Sequence, residues 1–409
     1  MVFGNKVFIN MELREHQLEA VANTPNKWGL FFQVRVGKTP TAITLANTRA
    51  RSCLVICPKS LRSQWRSEIN VWAPNSECEF LVLSKEEFRK QADNLKCYES
   101  IVVDEAHYGF GNYKSLLFRQ LSKYITQHNT EFIWLLTGTP YTATPWSAYS
   151  YALLLGKISS QHWLRFCNKF FTKIKMGRKS FWKPKSNIDG ELQDFMRSFG
   201  TFISLKDVAD VADDYDEIET FALNAEQKRT IKEQFDPMPV IRYGRQHQIE
   251  NGVIVESKQH IDCDKSKRVL ELVSSLKKAV IICRYKEQQR LLADLIVGIG
   301  REVFIINGDI KEEAGQIAQK AEAVDDCVVL IQADTVAGYS LKSFNTMIFA
   351  SMSYSFVNYE QAKGRIRSID KLDASNYIHL LTDGDSIDRA VYDCVLRKQN
   401  FSEELYEKR

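Results

Sequence analysis

Short runs of apolar residues alternate along the chain with segments in which apolar residues recur every three or four positions. The runs are strand-sized and lie at residues 29–32, 53–57, 101–103, 132–136, 279–283, 303–306, 327–331, 347–349 and 377–381. Between them the spacing is helical, as at Val269, Leu272, Val273 and Leu276. Alternating strands and helices predict parallel sheets covered by helices on both faces. Because the pattern occurs twice, we predict an α/β chain with two domains.

The pattern changes in the middle of the chain, and this change divides the predicted domains. We expect a first domain over 1–215 and a second over 216–409. Residues from about 146 to 205 lack the alternation and are interpreted as a helical and aromatic insertion in the first domain. The following acidic stretch is interpreted as a solvated connector; its acidic residues are Asp207, Asp210, Asp213, Asp214, Asp216, Glu217 and Glu219. Residues of about 225–262 are interpreted as a helical lead-in to the second sheet.

Composition supports a globular protein and excludes several classes. Hydrophobic residues make up 44% and charged residues 26% of the 409 residues, which is typical of a folded soluble chain. No apolar stretch approaches the roughly 18 residues of a membrane span, and residues 1–11 do not resemble a secretory signal. The nine cysteines are scattered without metal-ligand spacing, so we expect reduced thiols and a cytoplasmic protein. The net charge of +4 is compatible with a polyanionic partner without establishing one.

A candidate phosphate loop follows the first apolar run. Gly37, Lys38 and Thr39 open a helical segment, and strand, tight loop and helix are the context that a phosphate loop requires. Backbone N–H groups at the helix start would hold phosphate oxygens, with Lys38 reaching the β- and γ-phosphates and Thr39 binding Mg²⁺. Phe32 occupies the position of the first glycine in the eight-residue pattern. Taken alone, the segment is equally compatible with a lysine that starts an ordinary helix.

Two further strand ends carry candidate chemistry. Asp104 and Glu105 follow the run at 101–103, where Asp104 could hold Mg²⁺ and Glu105 could deprotonate an attacking water. An isolated Asp-Glu-Ala-His would otherwise be interpreted as an acidic helix cap. The turn 137–140, which contains Thr139, suits sensing of a nucleotide site but is by itself only a loop. Gln17, about twenty residues before the phosphate loop, could hydrogen-bond the adenine edge.

In this order the motifs resemble those of superfamily 2 helicases and translocases. The matching segments are Arg14–Gln17 (RxHQ), Gly37–Thr39 (GKT), Asp104–His107 (DEAH) and Thr137–Pro140 (TGTP). The segment CPKSLRSQWRSE at 57–68, with Trp65, is similar to a motif of the Swi/Snf-like branch, as are 205–208 and the region of Gln248 and Gly252. The short chain is similar to compact phage-encoded members, some of which remodel branched DNA.

The second half resembles the second domain of the same family. The matching segments are 279–286, 306–308, 337–341 and 361–367, the last similar to the arginine-finger motif. Two positions depart from the family pattern. Arg35 replaces a glycine, which costs about 1 kcal/mol if the backbone there is left-handed. Ser368 replaces the second finger arginine, and Arg367 lies one position earlier.

The resemblance implies two RecA-like domains with ATP and Mg²⁺ between them. It assigns nucleotide binding to Gln17, Arg35, Val36, Gly37, Lys38, Thr39 and Gly338, metal binding to Thr39 and Asp104, and catalysis to Lys38, Glu105, Arg365 and Arg367. It assigns nucleic-acid contacts to Lys59, Ser60, Thr139 and Gly308.

A basic and aromatic segment, 169–185, is a further candidate for nucleic-acid binding. It contains seven basic residues and no acidic residue, interleaved with aromatic side chains. Such a composition suits phosphate contact with base stacking, and the candidate residues are Lys175, Arg178, Lys179 and Trp182. The alternative is a solvated loop whose aromatic residues turn into the helical insertion.

The sequence therefore favours an ATP-dependent motor that unwinds, branch-migrates or translocates on duplex, forked or branched DNA. DNA is favoured over RNA; we expect a monomer, no membrane association and protein partners that the sequence does not specify. The alternative is a nucleic-acid-binding module with a degenerate, non-hydrolysing nucleotide site, motivated by Phe32, Arg35 and Ser368. A small-molecule P-loop kinase is disfavoured, because it has no use for the TGTP and finger segments.

Overall fold

The computed structural model describes residues 12–140, 145–176, 179–310, 313–336, 338–371 and 373–397. The chain divides into two compact units, one up to residue 208 and one from residue 209 onward. Each unit contains a six-stranded sheet with only parallel strand pairs, flanked by helices. The expected fold class, α/β with two RecA-like domains, is confirmed. Within the described residues, no helix is long and apolar enough to cross a membrane.

The central strands of the first sheet are almost wholly buried. Its sheet has the order β3-β2-β4-β5-β1-β8, and β6 and β7 form a separate antiparallel hairpin. The bounds are β1 (Lys27–Phe32), β2 (Ser52–Cys57), β3 (Glu79–Ser84), β4 (Ser100–Val103), β5 (Phe132–Leu136), β6 (Phe171–Met176), β7 (Lys179–Pro184) and β8 (Gly200–Ile203). Strands β2, β4 and β5 are nearly continuous apolar runs because helices cover both faces of the sheet.

The helices of the first unit follow the strand-to-helix alternation. Their bounds are α1 (Glu15–Asn23), α2 (Lys38–Arg49), α3 (Arg62–Trp72), α4 (Lys85–Gln91), α5 (His107–Phe110), α6 (Leu116–His128), α7 (Trp146–Leu154), α8 (Trp163–Phe170) and α9 (Asp189–Arg197). Helix α4 begins at a capping box in which Ser84 Oγ accepts from the Glu87 N–H and Glu87 Oε2 accepts from the Ser84 N–H. This cap fixes the point where β3 turns into α4.

The second unit repeats the architecture with a different strand order, β13-β14-β12-β15-β16-β9. The strands are β9 (Tyr215–Phe221), β10 (Val253–Ile254), β11 (Gln259–His260), β12 (Lys278–Cys283), β13 (Val303–Ile306), β14 (Cys327–Gln332), β15 (Thr346–Phe349) and β16 (Asn376–Thr382). The helices are α10 (Ala225–Glu233), α11 (Pro239–Glu250), α12 (Asp264–Ser275), α13 (Lys286–Gly298), α14 (Ala314–Ala323), α15 (Phe356–Ile366) and α16 (Ile387–Leu396). Alternate residues of β12 enter separate hydrophobic clusters, so both faces of the sheet are covered.

The segment 146–205 is more than a helical insertion. It contains α7, α8 and α9, but also the β6–β7 hairpin and β8, which pairs with β1 in the main sheet. Strand β8 fits beside β1 because Gly29 and Gly200 face each other there. The ring of Phe31 lies so close to both glycines that a Cβ at either position would collide with it.

The acidic stretch is only partly the connector that we expected. Residues 215–221 form β9, the edge strand beside β16. Acidic side chains in this strand and just before it pair with basic residues: Lys363 Nζ lies 2.7 Å from Asp216 Oδ1 in the strand, and Arg367 pairs with Asp214 before it. Charged residues are common on edge strands because they discourage pairing with other chains. The same charged residues interrupt the apolar pattern, so the sequence analysis did not predict this strand.

A buried polar cluster joins α11, α12 and α16 in the second unit. Asp388 accepts hydrogen bonds from His247 Nε2 at 2.9 Å and from Lys265 Nζ at 2.5 Å, and the three side chains are at most 3% exposed. Burial alone would raise the pKa of Asp388, but Lys265 and His247 hold it well below its usual range. The cluster therefore contains an ionised carboxylate that the surrounding donors stabilise.

Candidate nucleotide-binding site

Four candidate loops lie side by side at one edge of the first sheet. They follow β2, β4, β5 and β1, which are neighbours in that order and all run parallel. Parallel strands place their carboxyl ends at the same edge, which is where α/β proteins bind ligands. The fold therefore brings together the segments after 57, 103, 136 and 32.

The segment 33–37 forms a tight loop that leads into α2. Gly37 has φ 88° at the position that caps α2, and Arg35 has φ 73°. The left-handed backbone that would make an arginine unfavourable at position 35 is thus present, at a cost of about 1 kcal/mol. Val36 is buried, and its N–H donates to the Gln33 carbonyl at 3.3 Å. Two left-handed residues in five give this loop the compact turn that a phosphate site requires.

The amine of Lys38 lies inside this loop. It donates to the carbonyl oxygens of Phe32 at 2.9 Å and Gln33 at 3.2 Å. The backbone of Gly138 approaches the same amine, since a Cβ at position 138 would lie 3.5 Å from Lys38 Nζ. Thr39 follows in the first turn of α2. Lys38, the candidate phosphate-loop lysine, and the TGTP turn therefore lie against each other.

Helix α1 fastens the loop from the other side. Gln17 is 5% exposed; its Nε2 donates to the Gly37 carbonyl at 3.1 Å, and its Oε1 accepts from the Arg14 N–H at 2.8 Å. His16 Nε2 donates to the Val36 carbonyl at 2.9 Å. Gln17 therefore belongs to the wall of the loop, and its reading of adenine stays a prediction.

Asp104 is a buried carboxylate with two donors. Trp65 Nε1 donates to Oδ2 at 2.8 Å, and the Glu105 N–H donates to Oδ1 at 2.9 Å. Burial first, and the Glu105 charge second, raise the pKa of Asp104 to about 6, against the opposing effects of Trp65 and Lys38. A cation beside this carboxylate would favour its ionised form, so the donor set fits Mg²⁺.

Glu105 faces the same region with an unsatisfied oxygen. Its Oε2 is buried without a hydrogen-bond partner among the described residues and lies 3.4 Å from His107 Nδ1. The backbone of Glu105 is left-handed, with φ 45°. Buried polar atoms without partners are uncommon and mark positions where a ligand or water belongs. This carboxylate oxygen is therefore available to a bound group.

His107 links the DEAH segment to the TGTP turn. Its Nδ1 lies 2.8 Å from Thr137 Oγ1, which also accepts from the Thr139 N–H at 3.1 Å. Burial lowers the pKa of His107 well below its usual value, with Lys85 and Lys38 acting in the same direction. A neutral imidazole thus connects the two loops through a hydrogen bond.

Lys85 is a residue of the candidate site that the sequence analysis missed. It is 5% exposed, and its Nζ donates to the carbonyls of Glu105 at 2.6 Å and Tyr108 at 2.9 Å. Burial lowers the pKa of Lys85 to about 8, although Glu105 and other acidic neighbours act against this. A lysine followed by two glutamates is typical of an exposed helix, so local sequence carried no signal. Lys85 clamps the turn that carries Glu105.

The nucleic-acid candidates of the first unit occupy different environments. Lys59 is exposed and Ser60 half-buried in a 3₁₀ turn after β2, whereas Thr139 is only 9% exposed. Lys175 and Lys179 are exposed on the β6–β7 hairpin, and Trp182 is half-buried. Arg178 lies outside the described residues.

In the second unit the finger candidates bind nearby groups of their own unit. Arg365 is 7% exposed; its Nη1 donates to the Tyr339 carbonyl at 2.6 Å and its Nε to the Gln361 carbonyl at 3.0 Å. Gly338, next to Tyr339, has φ 95°. Arg367 pairs with Asp214. The segments around 338 and 365 are thus in contact within the second unit, and their roles in nucleotide binding and catalysis stay predictions.

Gly308 follows β13 at the carboxyl edge of the second sheet. Its N–H donates to Gln332 Oε1 at 3.0 Å, and the residue is exposed. Neighbouring side chains hold this edge, since Lys286 Nζ lies 2.5 Å from Asp309 Oδ1. The exposed backbone at 308 is compatible with its predicted role.

Comparison with known proteins adds little beyond this geometry. No protein-family model matches the chain, and no curated protein matches it. Among solved structures, the chain is similar to one described as "Sulfolobus solfataricus SWI2/SNF2 ATPase core in complex with dsDNA". The identity is 17% and the TM-score 0.44, over 98% of this chain and 93% of that chain. The two α/β domains are therefore assigned from the sheet topology described above.

Proposed function

We propose that the chain is a DNA-dependent ATPase that couples ATP hydrolysis to translocation on, or unwinding of, forked or branched DNA. One observation carries the proposal: the GKT, DEAH and TGTP loops meet at one sheet edge. Two contacts join them, the approach of Lys38 to Gly138 and the bond from His107 to Thr137. If Lys38 only started an ordinary helix and Asp104 only capped one, these contacts between the three loops would not be expected.

The residues of the first unit suit hydrolysis of a phosphoanhydride. The Gly37 loop and the start of α2 offer backbone N–H groups to phosphate oxygens. Lys38 would move from the carbonyls of Phe32 and Gln33 to the phosphates. Glu105, whose Oε2 is unsatisfied, would orient the attacking water and accept its proton.

Thr39 and Asp104 would hold Mg²⁺, which would neutralise phosphate charge when bound. Trp65 supports this assignment because its N–H orients the Asp104 carboxylate. In the second unit, Arg365 or Arg367 would stabilise the developing charge, a contribution that is worth roughly 10³–10⁵ in rate for arginine fingers. Each would first have to leave its present partner, Tyr339 or Asp214 respectively.

DNA is the proposed track because the sequence motifs resemble those of DNA motors and because exposed basic groups are available. Lys59, Lys175 and Lys179 are exposed in the first unit. Phosphate contacts of this kind fix register without reading sequence. The proposal therefore specifies structure-dependent rather than sequence-dependent binding.

The test is ATP hydrolysis in the presence of single-stranded, duplex, forked and four-way DNA. We expect stimulation by at least one DNA, and a loss of about 10²–10⁴-fold for Glu105→Gln, which removes the general base. Lys38→Ala should also abolish turnover. Matched controls are Glu86→Gln and Lys90→Ala, both exposed in α4. Full hydrolysis by Glu105→Gln would contradict the assigned role.

A second candidate function is a nucleotide-binding module that does not hydrolyse ATP. It is favoured by one observation, the engagement of Arg365 and Arg367 with groups of their own unit. Tight ATP binding with no DNA-stimulated hydrolysis would support this alternative. If DNA does stimulate hydrolysis, strand-displacement and branch-migration assays on the most stimulatory DNA would separate translocation from unwinding.

A further inference from the structure

The two strands of the β6–β7 hairpin are anchored at their base to helix α8. Phe171 at its start is buried, and Lys185 just beyond its end donates from Nζ to the carbonyls of Asn168 at 2.8 Å and Lys169 at 2.9 Å. The Lys185 N–H also donates to the Phe170 carbonyl at 3.1 Å. These bonds tie both ends of the hairpin to helix α8.

Strand register gives the hairpin two different faces. Residues opposite each other share a face, and successive residues alternate. Lys173 is opposite Trp182, whose ring meets that of Trp163 edge-on with the centroids 5.9 Å apart. Lys173 Nζ lies 5.9 Å from the Trp182 ring centre. The face containing Trp182 therefore packs toward the body of the first unit. The Trp182 ring contacts Trp163 there and is not available to stack on a base.

The opposite face points away from the body and has a different character. Ile174 is opposite Phe181, and Phe181 is 43% exposed. Lys179 and Lys183 lie two residues on either side of Phe181, on the same face and both exposed. Neither lysine forms an ion pair within the part of the chain that the structure describes. The outer face, defined as Ile174, Lys179, Phe181 and Lys183, is thus an exposed ring between two cations.

We propose that this outer face contacts nucleic acid, with the Phe181 ring stacking on an accessible base and Lys179 and Lys183 contacting phosphates. The two lysines are about 13 Å apart along the strand, at 3.3 Å per residue. That distance lets the two lysines contact different phosphates of one strand, with the Phe181 ring between them. An exposed aromatic ring between cations, with no acidic residue from 169 to 185, complements a polyanion that also offers flat rings.

The inference rests on the proposed function and extends it to a strand with unpaired bases. A blunt duplex keeps its bases stacked, whereas the single-stranded arm of a fork exposes them. Phe181 should therefore affect binding to forked DNA more than binding to blunt duplex. Phe181 is therefore the candidate for base stacking. The sequence analysis favoured Trp182, but Trp182 is already packed on Trp163.

The test is the affinity for a fork with a single-stranded arm and for a blunt duplex, measured by fluorescence anisotropy at several salt concentrations. Phe181→Ala should weaken fork binding by about 5- to 150-fold and duplex binding much less. Phe181→Trp should restore binding and Phe181→Leu should not. Charge reversal of Lys179 and Lys183 to Glu should reduce the salt slope by about 1.4.

The control reverses two exposed lysines elsewhere in the first unit, Lys90 and Lys123, and should leave the salt slope unchanged. Equal fork affinity of Phe181→Ala and wild type, or equal loss in Phe181→Trp and Phe181→Ala, would overturn the stacking assignment. Those results leave the proposed function standing if DNA still stimulates ATPase. Conversely, Phe181-dependent fork binding without any DNA-stimulated ATPase would refute the motor and retain the contact.

Discussion

Replacing Lys85 by methionine should lower the rate of ATP hydrolysis while changing the free energy of unfolding of the first unit only moderately. The substitution keeps an unbranched side chain in the buried position and removes the ammonium group. The carbonyls of Glu105 and Tyr108 then lose their donor. Because Glu105 has a left-handed backbone, this clamp helps to hold the turn in an unfavourable conformation.

The structure allows the stability effect to be estimated. Burial lowers the pKa of Lys85 from 10.5 to about 8, so keeping it charged at neutral pH costs about 3 kcal/mol. Methionine removes that cost. The two orphaned carbonyls each cost about 1–3 kcal/mol. The terms oppose each other, and we expect Lys85→Met to change the free energy of unfolding at pH 7 by no more than about 3 kcal/mol.

The same substitution should cause a clear loss in the rate of ATP hydrolysis. A displacement of about 1 Å in a catalytic group reduces rate by roughly 10²-fold. Relaxation of the turn would move the Glu105 carboxylate, while the phosphate loop around Lys38 lies on another element. For the proposed ATPase reaction, we therefore expect kcat to fall at least tenfold and KM to change by less than about threefold. Steady-state ATPase kinetics measure both, with Lys90→Met in the same helix as the control.

The pH dependence supplies an independent readout. The folded pKa of Lys85 is below the unfolded value, so the folded state binds fewer protons between about pH 8 and 10.5. Wild-type stability should therefore rise with pH across that window relative to Lys85→Met, by at most about 1.4 kcal/mol per pH unit. Acidic neighbours that face Lys85, chiefly Glu105 and Asp104, are present in both proteins. If the difference in the free energy of unfolding between the two proteins does not change with pH and kcat is also unchanged, Lys85 does not hold the Glu105 turn.

Three other substitutions test single contacts by urea-induced unfolding. Trp65→Phe removes a donor to the buried Asp104 carboxylate and should lower the free energy of unfolding by about 1.5–3 kcal/mol; no change would dismiss that hydrogen bond. Arg35→Gly should be about 1 kcal/mol more stable than Arg35→Ala, because only glycine is unstrained at φ 73°, and the reverse order would exclude strain. Asp388→Asn leaves the Lys265 ammonium without its buried carboxylate and should destabilise the second unit by about 3–5 kcal/mol, a reading that a loss below 1 kcal/mol would contradict.

The elements that the sequence missed share a physical cause. Strand β9 is exposed and carries acidic residues, and β8 is short, so neither has the apolar run of a central strand. The β6–β7 hairpin was not predicted because its alternation of lysine and aromatic residues resembles a solvated loop. Strand β3 is an exception: it was also missed, although its apolar run at 80–83 was a sufficient signal.

The sequence by itself determined the two α/β domains and the order of the motif segments. Apolar runs identify central strands because burial on both faces leaves no room for polar side chains. Motif spacing likewise identified Lys38, Asp104 and Glu105 as candidates, since each follows such a run.

Only the tertiary structure decided which side chains share an environment. Burial of Lys85 under the Glu105 turn, the bond from Trp65 to Asp104, and the outward orientation of Phe181 all depend on packing between segments distant in sequence. Local propensity does not encode such contacts, because the same lysine or aromatic residue fits a solvated surface equally well. Strand register then selects one face over the other, since a shift of one residue would exchange Phe181 and Trp182.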